Sequence, residues 1–210
     1  MKINIHKITA GPFQVNGYIV HSDDNLDCLI IDPGDNPKLY IKEIENNDLT
    51  PIAILNTHGH IDHVHAVQPL KDHYSIPFYI HKNEKMVVDH YPQGCLIYGM
   101  TPNEKPIVDN WLTNENNLTI GDYNLKVIHT PGHTPGGVCY QLNSDIFTGD
   151  TLFKGSIGRT DLPGGDYNTL ISSLKLLIAN IKSDTQIHSG HGSSTTIGNE
   201  IATNPFLLDL

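Results

Sequence analysis

Three imidazoles and a carboxylate fall within six residues in His58-Gly59-His60-Ile61-Asp62-His63. Imidazole and carboxylate are ordinary ligands of zinc and also suit iron and manganese. The run follows Ile52-Ala53-Ile54-Leu55, a short continuous apolar stretch of the kind a buried strand shows. A strand end followed by a turn can aim several side chains at one point. Four side chains this closely spaced do not easily converge on one tetrahedral ion, so two neighbouring ions are the simpler expectation.

Three further pieces share that form, a potential ligand at a strand end flanked by glycine. Thr130-Pro131-Gly132-His133-Thr134-Pro135-Gly136 holds His133 in a turn, Thr148-Gly149-Asp150 follows the apolar Ile146-Phe147, and Ser189-Gly190-His191-Gly192 follows Ile187. Glycine permits close backbone approach and unusual dihedrals beside a metal. A lone Gly-His-Gly is more often a surface turn, but four such pieces in one chain support one another.

The elements that must position these residues can be read coarsely. Strands are predicted at 3–8, 18–20, 29–31, 52–55 and 78–80, then at 118–120, 125–128, 138–141, 145–147 and 186–188. Helical spacing is found at 38–47, 62–73, 84–90, 170–181 and 197–208, whereas 92–110 and the Gly-rich 150–165 read as loops. Strands and helices mix in both halves, so the class is α/β or α+β. The 210 residues suffice for one domain with a substantial core, and no Pro/Ser/Gly run, like-charge block or repeat divides them.

Composition narrows the chemistry. The net charge of −10 disfavours phosphate backbones and anionic membranes as partners. Cys28, Cys95 and Cys139 are odd in number and lack a CxxC, so neither a disulfide framework nor a thiolate zinc site is indicated. Cys28 and Cys139 sit in strand-like runs and read as core. The N-terminal stretch lacks the apolar segment of a signal peptide and nothing is long enough to span a bilayer, which makes a cytoplasmic protein the default expectation.

The order His-x-His-x-Asp-His, then His, Asp and His, running from 58 to 191, resembles the metallo-β-lactamase fold superfamily. The lead-in Ile31-Asp32-Pro33-Gly34 and the overall length fit as well, so the resemblance covers nearly the whole chain, 1–210, as a single domain. It implies an α+β fold, a four-layer αββα sandwich with a metal site at one edge. Many β-lactamases of this fold carry cysteine where this chain has Asp150. An aspartate there, the stretch Gly149-Asp150-Thr151-Leu152-Phe153 through Gly158-Arg159-Thr160-Asp161 to Gly165, and the ending Gly190-His191-Gly192 to Leu207 resemble the glyoxalase II (hydroxyacylglutathione hydrolase) branch and its short, single-domain members. Departures are His65-Ala66 where a small Gly-Gly or Gly-Ala pair is usual, Gly137 where serine is common, and Ser189 where proline is common. None removes a ligand, but His65 lies close enough to the ligand stretch to alter access to it.

Carried over from that motif, His58, His60 and His133 would bind one ion, Asp62, His63 and His191 a second, and Asp150 would bridge them. Zinc is the first expectation, with iron or manganese as alternatives. A water held by such ions ionises near neutral pH, and the resulting hydroxide would attack an acyl thioester, the expected small-molecule substrate. Asp62 would then accept or relay a proton besides binding metal. Asp32 either orients a metal-bound imidazole from behind or only starts the Asp-Pro-Gly turn. Lys154 and Arg159, the only arginine, either hold a substrate carboxylate or, for Arg159, pair with Asp161 or Asp166 to fix the loop. Tyr91, Tyr98 and Trp111 are candidates for a pocket wall or for the core. His6, His21, His73, His81, His90, His129 and His188 receive no role. The rival activity on the same fold is a persulfide dioxygenase using one iron; a complete second ligand set favours hydrolysis. A non-catalytic module stabilised by zinc is disfavoured because structural zinc sites are closed and commonly rich in thiolate. The acyl group, the thiol carrier and the oligomeric state are left open.

Overall fold

The computed structural model describes residues 2–208 and 210. The chain divides into two compact units, Met1–Leu112 and Thr113–Leu210.

In the first unit, β1 (Ile3–Ala10), β2 (Val15–Ser22), β3 (Asp27–Ile31), β4 (Thr50–Leu55), β5 (Phe78–His81) and β6 (Asn110–Leu112) form one sheet in sequence order. The first three pair antiparallel and β3 to β6 pair parallel. Parallel neighbours need crossovers. These are α1 (Pro37–Asn46) between β3 and β4, α2 (Ile61–Val64) and α3 (Val67–Tyr74) between β4 and β5, and α4 (Lys85–Asp89) with α5 (Tyr91–Ile97) between β5 and β6. Pro37 presets the first turn of α1, and Tyr40 and Ile44, one turn apart, are its buried residues. They join Ile30, Ile54, Phe78 and Ile80 in this unit's core. Because β3 and β4 run the same way, their carboxyl ends emerge side by side, and Asp32 donates its N–H to Leu55 O at 3.0 Å.

In the second unit, β7 (Asn117–Ile120), β8 (Tyr123–His129), β9 (Val138–Leu142), β10 (Asp145–Gly149), β13 (Gln186–Ser189) and β14 (Thr195–Thr196) form a sheet in the order β14-β13-β10-β9-β8-β7. A small hairpin, β11 (Leu152–Phe153) and β12 (Ser156–Ile157), follows β10. Helix α6 (Tyr167–Asn180) is capped by Asp166, whose carboxylate accepts from Thr169 N–H at 2.7 Å. It buries Leu170, Leu174 and Leu177 with Ile146, Leu152 and Ile187, and α7 (Ile197–Thr203) adds Ile197. Fully burying each such leucine or isoleucine is worth about 1.5–3 kcal/mol. Strands β10 and β13 are parallel and β8 is related to β10 through the antiparallel β9, so the carboxyl ends of β8, β10 and β13 share one edge of this sheet.

Several elements differ from the sequence reading. The helix expected over 62–73 is two helices, broken at His65-Ala66. Pro69 has no N–H to donate to His65 O, and that carbonyl accepts instead from Asn103 Nδ2 at 3.0 Å, while Ala66 N–H goes to Pro33 O. The expected loop over 92–110 begins with α5, because Pro92 sits in the first turn of that helix, where its missing N–H costs nothing. The loop 150–165 contains the β11–β12 hairpin. The helix expected over 197–208 stops at Thr203, since Asn204 precedes Pro205 and is extended. All three cysteines are buried and reduced, Cys95 included. No helix among the described residues is long and apolar enough to cross a membrane.

Two glycines let other segments abut the backbone of residues in the ligand motifs. A Cβ on Gly34 would lie 1.9 Å from Asp62 O, and one on Gly158 would lie 1.9 Å from Asp150 O. Both acceptors are backbone and cannot swing aside. Gly34→Ala and Gly158→Ala should therefore each lower stability by about 1–3 kcal/mol, the usual cost of overpacking, read as a lower urea midpoint. An unchanged midpoint would show that these turns retreat without cost.

Candidate metal centre

In the first unit the strand end of β4 carries four of the candidate ligands. His58 and His63 are buried, and His60 and Asp62 are partly buried. The His58 ring lies 4.9 Å from that of His60, perpendicular to it, and 4.1 Å from that of His63. A ligand atom of His58 is within 4.8 Å of one on His60 and of one on His63, and the same holds for Asp62 with His63. Short polar contacts fix the loop. Gly59 N–H donates to the fully buried Glu84 at 2.8 Å, and Asn56 Nδ2 donates to His63 O at 2.7 Å.

Asp32 is the hub behind these rings. Its carboxylate accepts from Thr57 N–H at 2.7 Å and Thr57 Oγ1 at 2.6 Å, and faces His63 Nδ1 at 3.1 Å. Its backbone has φ 48°, a left-handed conformation uncommon outside glycine. Three side-chain contacts hold it there. The Thr57 hydroxyl proton is committed to Asp32, so Thr57 Oγ1, 3.2 Å from His58 Nδ1, can only accept from that ring. The hydroxyl acceptor at Nδ1 thus sets His58 in the tautomer whose Nε2 carries the lone pair.

In the second unit Asp150 follows β10, His133 follows β8 in a loop closed by Thr130 N–H to Gly137 O, and His191 follows β13. Gly190 N–H donates to Gly149 O at 2.8 Å, which ties the Asp150 and His191 segments together. His133 Nδ1 donates to Arg159 O at 2.7 Å; a carbonyl only accepts, so here too Nε2 holds the lone pair. Asp150 Oδ2 lies 3.6 Å from His133 Nε2 and 3.6 Å from His191 Nε2. Both distances are too long for a hydrogen bond. They match the separation of two atoms that each sit about 2.0–2.2 Å from a shared ion.

The donor chemistry fits divalent cations. Each unit presents imidazole nitrogens of defined tautomer and carboxylate oxygens, with the three thiols in the packed interior.

Other residues singled out by sequence fall elsewhere. Arg159 forks onto Asp161, with Nε and Nη2 each donating at 2.7 Å, and the guanidinium holds that carboxyl down at about 2. It is the Arg159 carbonyl that reaches a candidate ligand. Lys154 is exposed in the turn between β11 and β12. Glu200 pins that turn by accepting from Gly155 N–H at 2.7 Å. Burial would raise the Glu200 carboxyl, but hydrogen bonds from Thr195, Gly155, Asn199 and Asn204 bring it below its ordinary value. His65 is buried with Nδ1 2.8 Å from Tyr91 Oη, and burial lowers its pKa. Tyr91 is therefore core, whereas Tyr98 is exposed against Phe13 and Trp111 is 36% exposed on β6. Sequence reasoning missed Thr57, Asn56 and Glu84. Thr57 adjoins the motif and could have been noticed; Glu84, far along a charged stretch, carried no signal.

Residues 10–191 match the metallo-beta-lactamase superfamily. The hydroxyacylglutathione hydrolase GloC of Haemophilus influenzae is 40% identical, with 99% of this chain and 98% of that protein aligned. The crystal structure of BLEG-1 B3 metallo-beta-lactamase superposes with a TM-score of 0.91 at 41% identity, covering 97% of this chain and 99% of that one. That of TTHA1623 in a di-iron-bound form gives 0.87 at 37% identity, covering 96% and 100%. The mixed α+β fold agrees with these matches, and the chain belongs to the metallo-β-lactamase superfamily.

Proposed function

We propose that the two units act as one domain, that His58, His60 and His133 hold one divalent ion and Asp62, His63 and His191 a second, with Asp150 shared, and that the protein hydrolyses acyl thioesters of the hydroxyacylglutathione class. The observation that carries this reading is the Asp150 carboxylate, 3.6 Å from Nε2 of both His133 and His191. The family match supports it too, because residues 10–191 include every proposed ligand. The 40% identity to a protein named hydroxyacylglutathione hydrolase supports the substrate class.

Bound there, such ions supply Lewis acidity toward an acyl carbonyl and acidify a water to neutral-pH ionisation. The chain's own residues do the rest. Thr57 and the Arg159 carbonyl keep His58 and His133 turned with Nε2 forward, and the Asp32 carboxylate lies beside His63 Nδ1 at 3.1 Å. Asp62, its side chain 17% exposed and Oδ2 4.0 Å from His63 Nε2, is the carboxylate that accepts or relays the proton. A thiolate leaves without a strong general acid, so none is required of the chain. Lys154 is the exposed cation available to a substrate carboxylate.

A β-lactam is the second reading, favoured by the 41% identity to a structure described as a B3 metallo-beta-lactamase. The test is turnover by metal-loaded protein on acyl thioesters including lactoylglutathione, a β-lactam, and glutathione persulfide with oxygen uptake followed. Thioester hydrolysis is expected; turnover of the lactam alone, or oxygen consumption with no thioester cleaved, overturns the proposal.

Asp62→Asn preserves size but loses charge and the capacity to take a proton. It should remain folded and lose about 10²–10⁴-fold in thioester kcat, with further loss from weaker metal binding. Metal content and turnover are to be measured on one sample. A variant that keeps its metal and turns over near the wild-type rate would remove Asp62 from proton transfer.

A further inference from the structure

His6 and His21 received no role in the sequence, and they lie in the first unit on β1 and β2, apart in sequence from every candidate ligand. His6 is registered opposite Ile19 and His21 opposite Asn4, so the two are diagonal neighbours on one sheet face. Their rings are 5.1 Å apart with planes tilted by 30°, and their Nε2 atoms approach to 3.0 Å.

What makes the pair unusual is the other nitrogen of each ring. His21 Nδ1 is 3.0 Å from Ser22 O, a carbonyl that only accepts, so this nitrogen carries a proton. His6 Nδ1 is 2.7 Å from Glu43 Oε1, a carboxylate on α1 that also accepts. Glu43 is held in turn by Asn47 Nδ2 at 3.2 Å. With Nδ1 protonated on both rings, two Nε2 lone pairs face one another at 3.0 Å. That juxtaposition is repulsive unless a proton or a metal cation lies between them.

We propose that a metal takes the place of that proton: His6 and His21 form a peripheral binding site for one imidazole-seeking divalent cation, Zn²⁺ or Cu²⁺, coordinated through both Nε2 atoms. A tetrahedral ion with Zn–N of about 2.0–2.1 Å sets its nitrogens about 3.3 Å apart, a few tenths of an ångström from the distance present. Carboxylate and carbonyl acceptors behind metal-binding imidazoles are the usual second layer of such sites. The His6 side chain is 24% exposed and that of Glu43 36%, so water can complete the coordination. Bound metal would tie β1 to β2 and, through Glu43, to α1.

The test uses full-length protein saturated with Zn²⁺ and then equilibrated with Cu²⁺, with total metal per chain and the copper EPR spectrum recorded. The wild type is expected to hold one more ion than His6→Gln or His21→Gln, with nitrogen hyperfine structure from two imidazoles that either variant loses. Glu43→Gln should retain the ion with affinity lowered on the order of 10–100-fold. Thioester turnover should be unchanged in all three, which separates this site from the proposed catalytic one. Equal total metal in the wild type and both histidine variants would overturn the proposal and leave a shared proton as the occupant. Because the wild-type spectrum is read by itself, an absence of two-imidazole copper in it also overturns the proposal, whether or not the variants fold.

Discussion

The structure depends on acceptors placed behind imidazoles. A histidine presents one lone pair, and which nitrogen presents it is decided by what the other nitrogen meets. Thr57 Oγ1 and the Arg159 carbonyl make that decision for His58 and His133, and Asp32 stands 3.1 Å from Nδ1 of His63. The strained dihedral of Asp32 follows from this constraint: a carboxylate must stand beside the end of β4, and the left-handed turn after β3 puts it there. Backbone strain of this kind persists where the surroundings over-determine it, and Asp32 has contacts to two Thr57 atoms and to His63.

From that constraint the topology follows. Side chains aimed at one point must come from chain ends that lie together, and parallel strands supply such ends. Strands β3 and β4 do this in the first unit, and β10 and β13 in the second. The turns must then pass close to the backbones of Asp62 and Asp150, which is why Gly34 and Gly158 have no room for a side chain. Buried Glu84 and Asn56 satisfy N–H and carbonyl groups of the 58–63 loop that have no strand to pair with. The hydrophobic layers beneath, built on α1 to α5 in one unit and on α6 and α7 in the other, hold the sheets against which these loops are measured.

Much of this was legible in the sequence, for physical reasons that can be named. The apolar run before His58, the flanking glycines and the density of imidazole are local signals, and the candidate ligands follow from them. The longer strands were legible because their residues alternate or are continuously apolar, whereas the two- and three-residue β6, β11, β12 and β14 are too short to show a period. What was hidden depends on distant partners. The break at His65-Ala66 needs both Pro69 and an asparagine 38 residues further on to take the released carbonyl. Helix α5 was obscured because Pro92 and Gly94 read as breakers, whereas Gly94 is needed for close approach to Ile61. Arg159 drew attention for its charge, yet its guanidinium lies on Asp161 and its carbonyl orients His133. His6 and His21 gave no signal at all, since only strand register brings them together.

The measurement that bears most directly on the account is the number of ions held by the centre and its dependence on His191. It is best made in the His6→Gln background, so that the peripheral pair does not contribute. Protein loaded with Zn²⁺, freed of excess ion and analysed for metal should hold two ions per chain, and His191→Ala in the same background should hold one while keeping its circular dichroism spectrum. One ion per chain after full loading, or two ions retained when His191 is removed, would contradict the bridged two-ion centre on which the proposed chemistry rests.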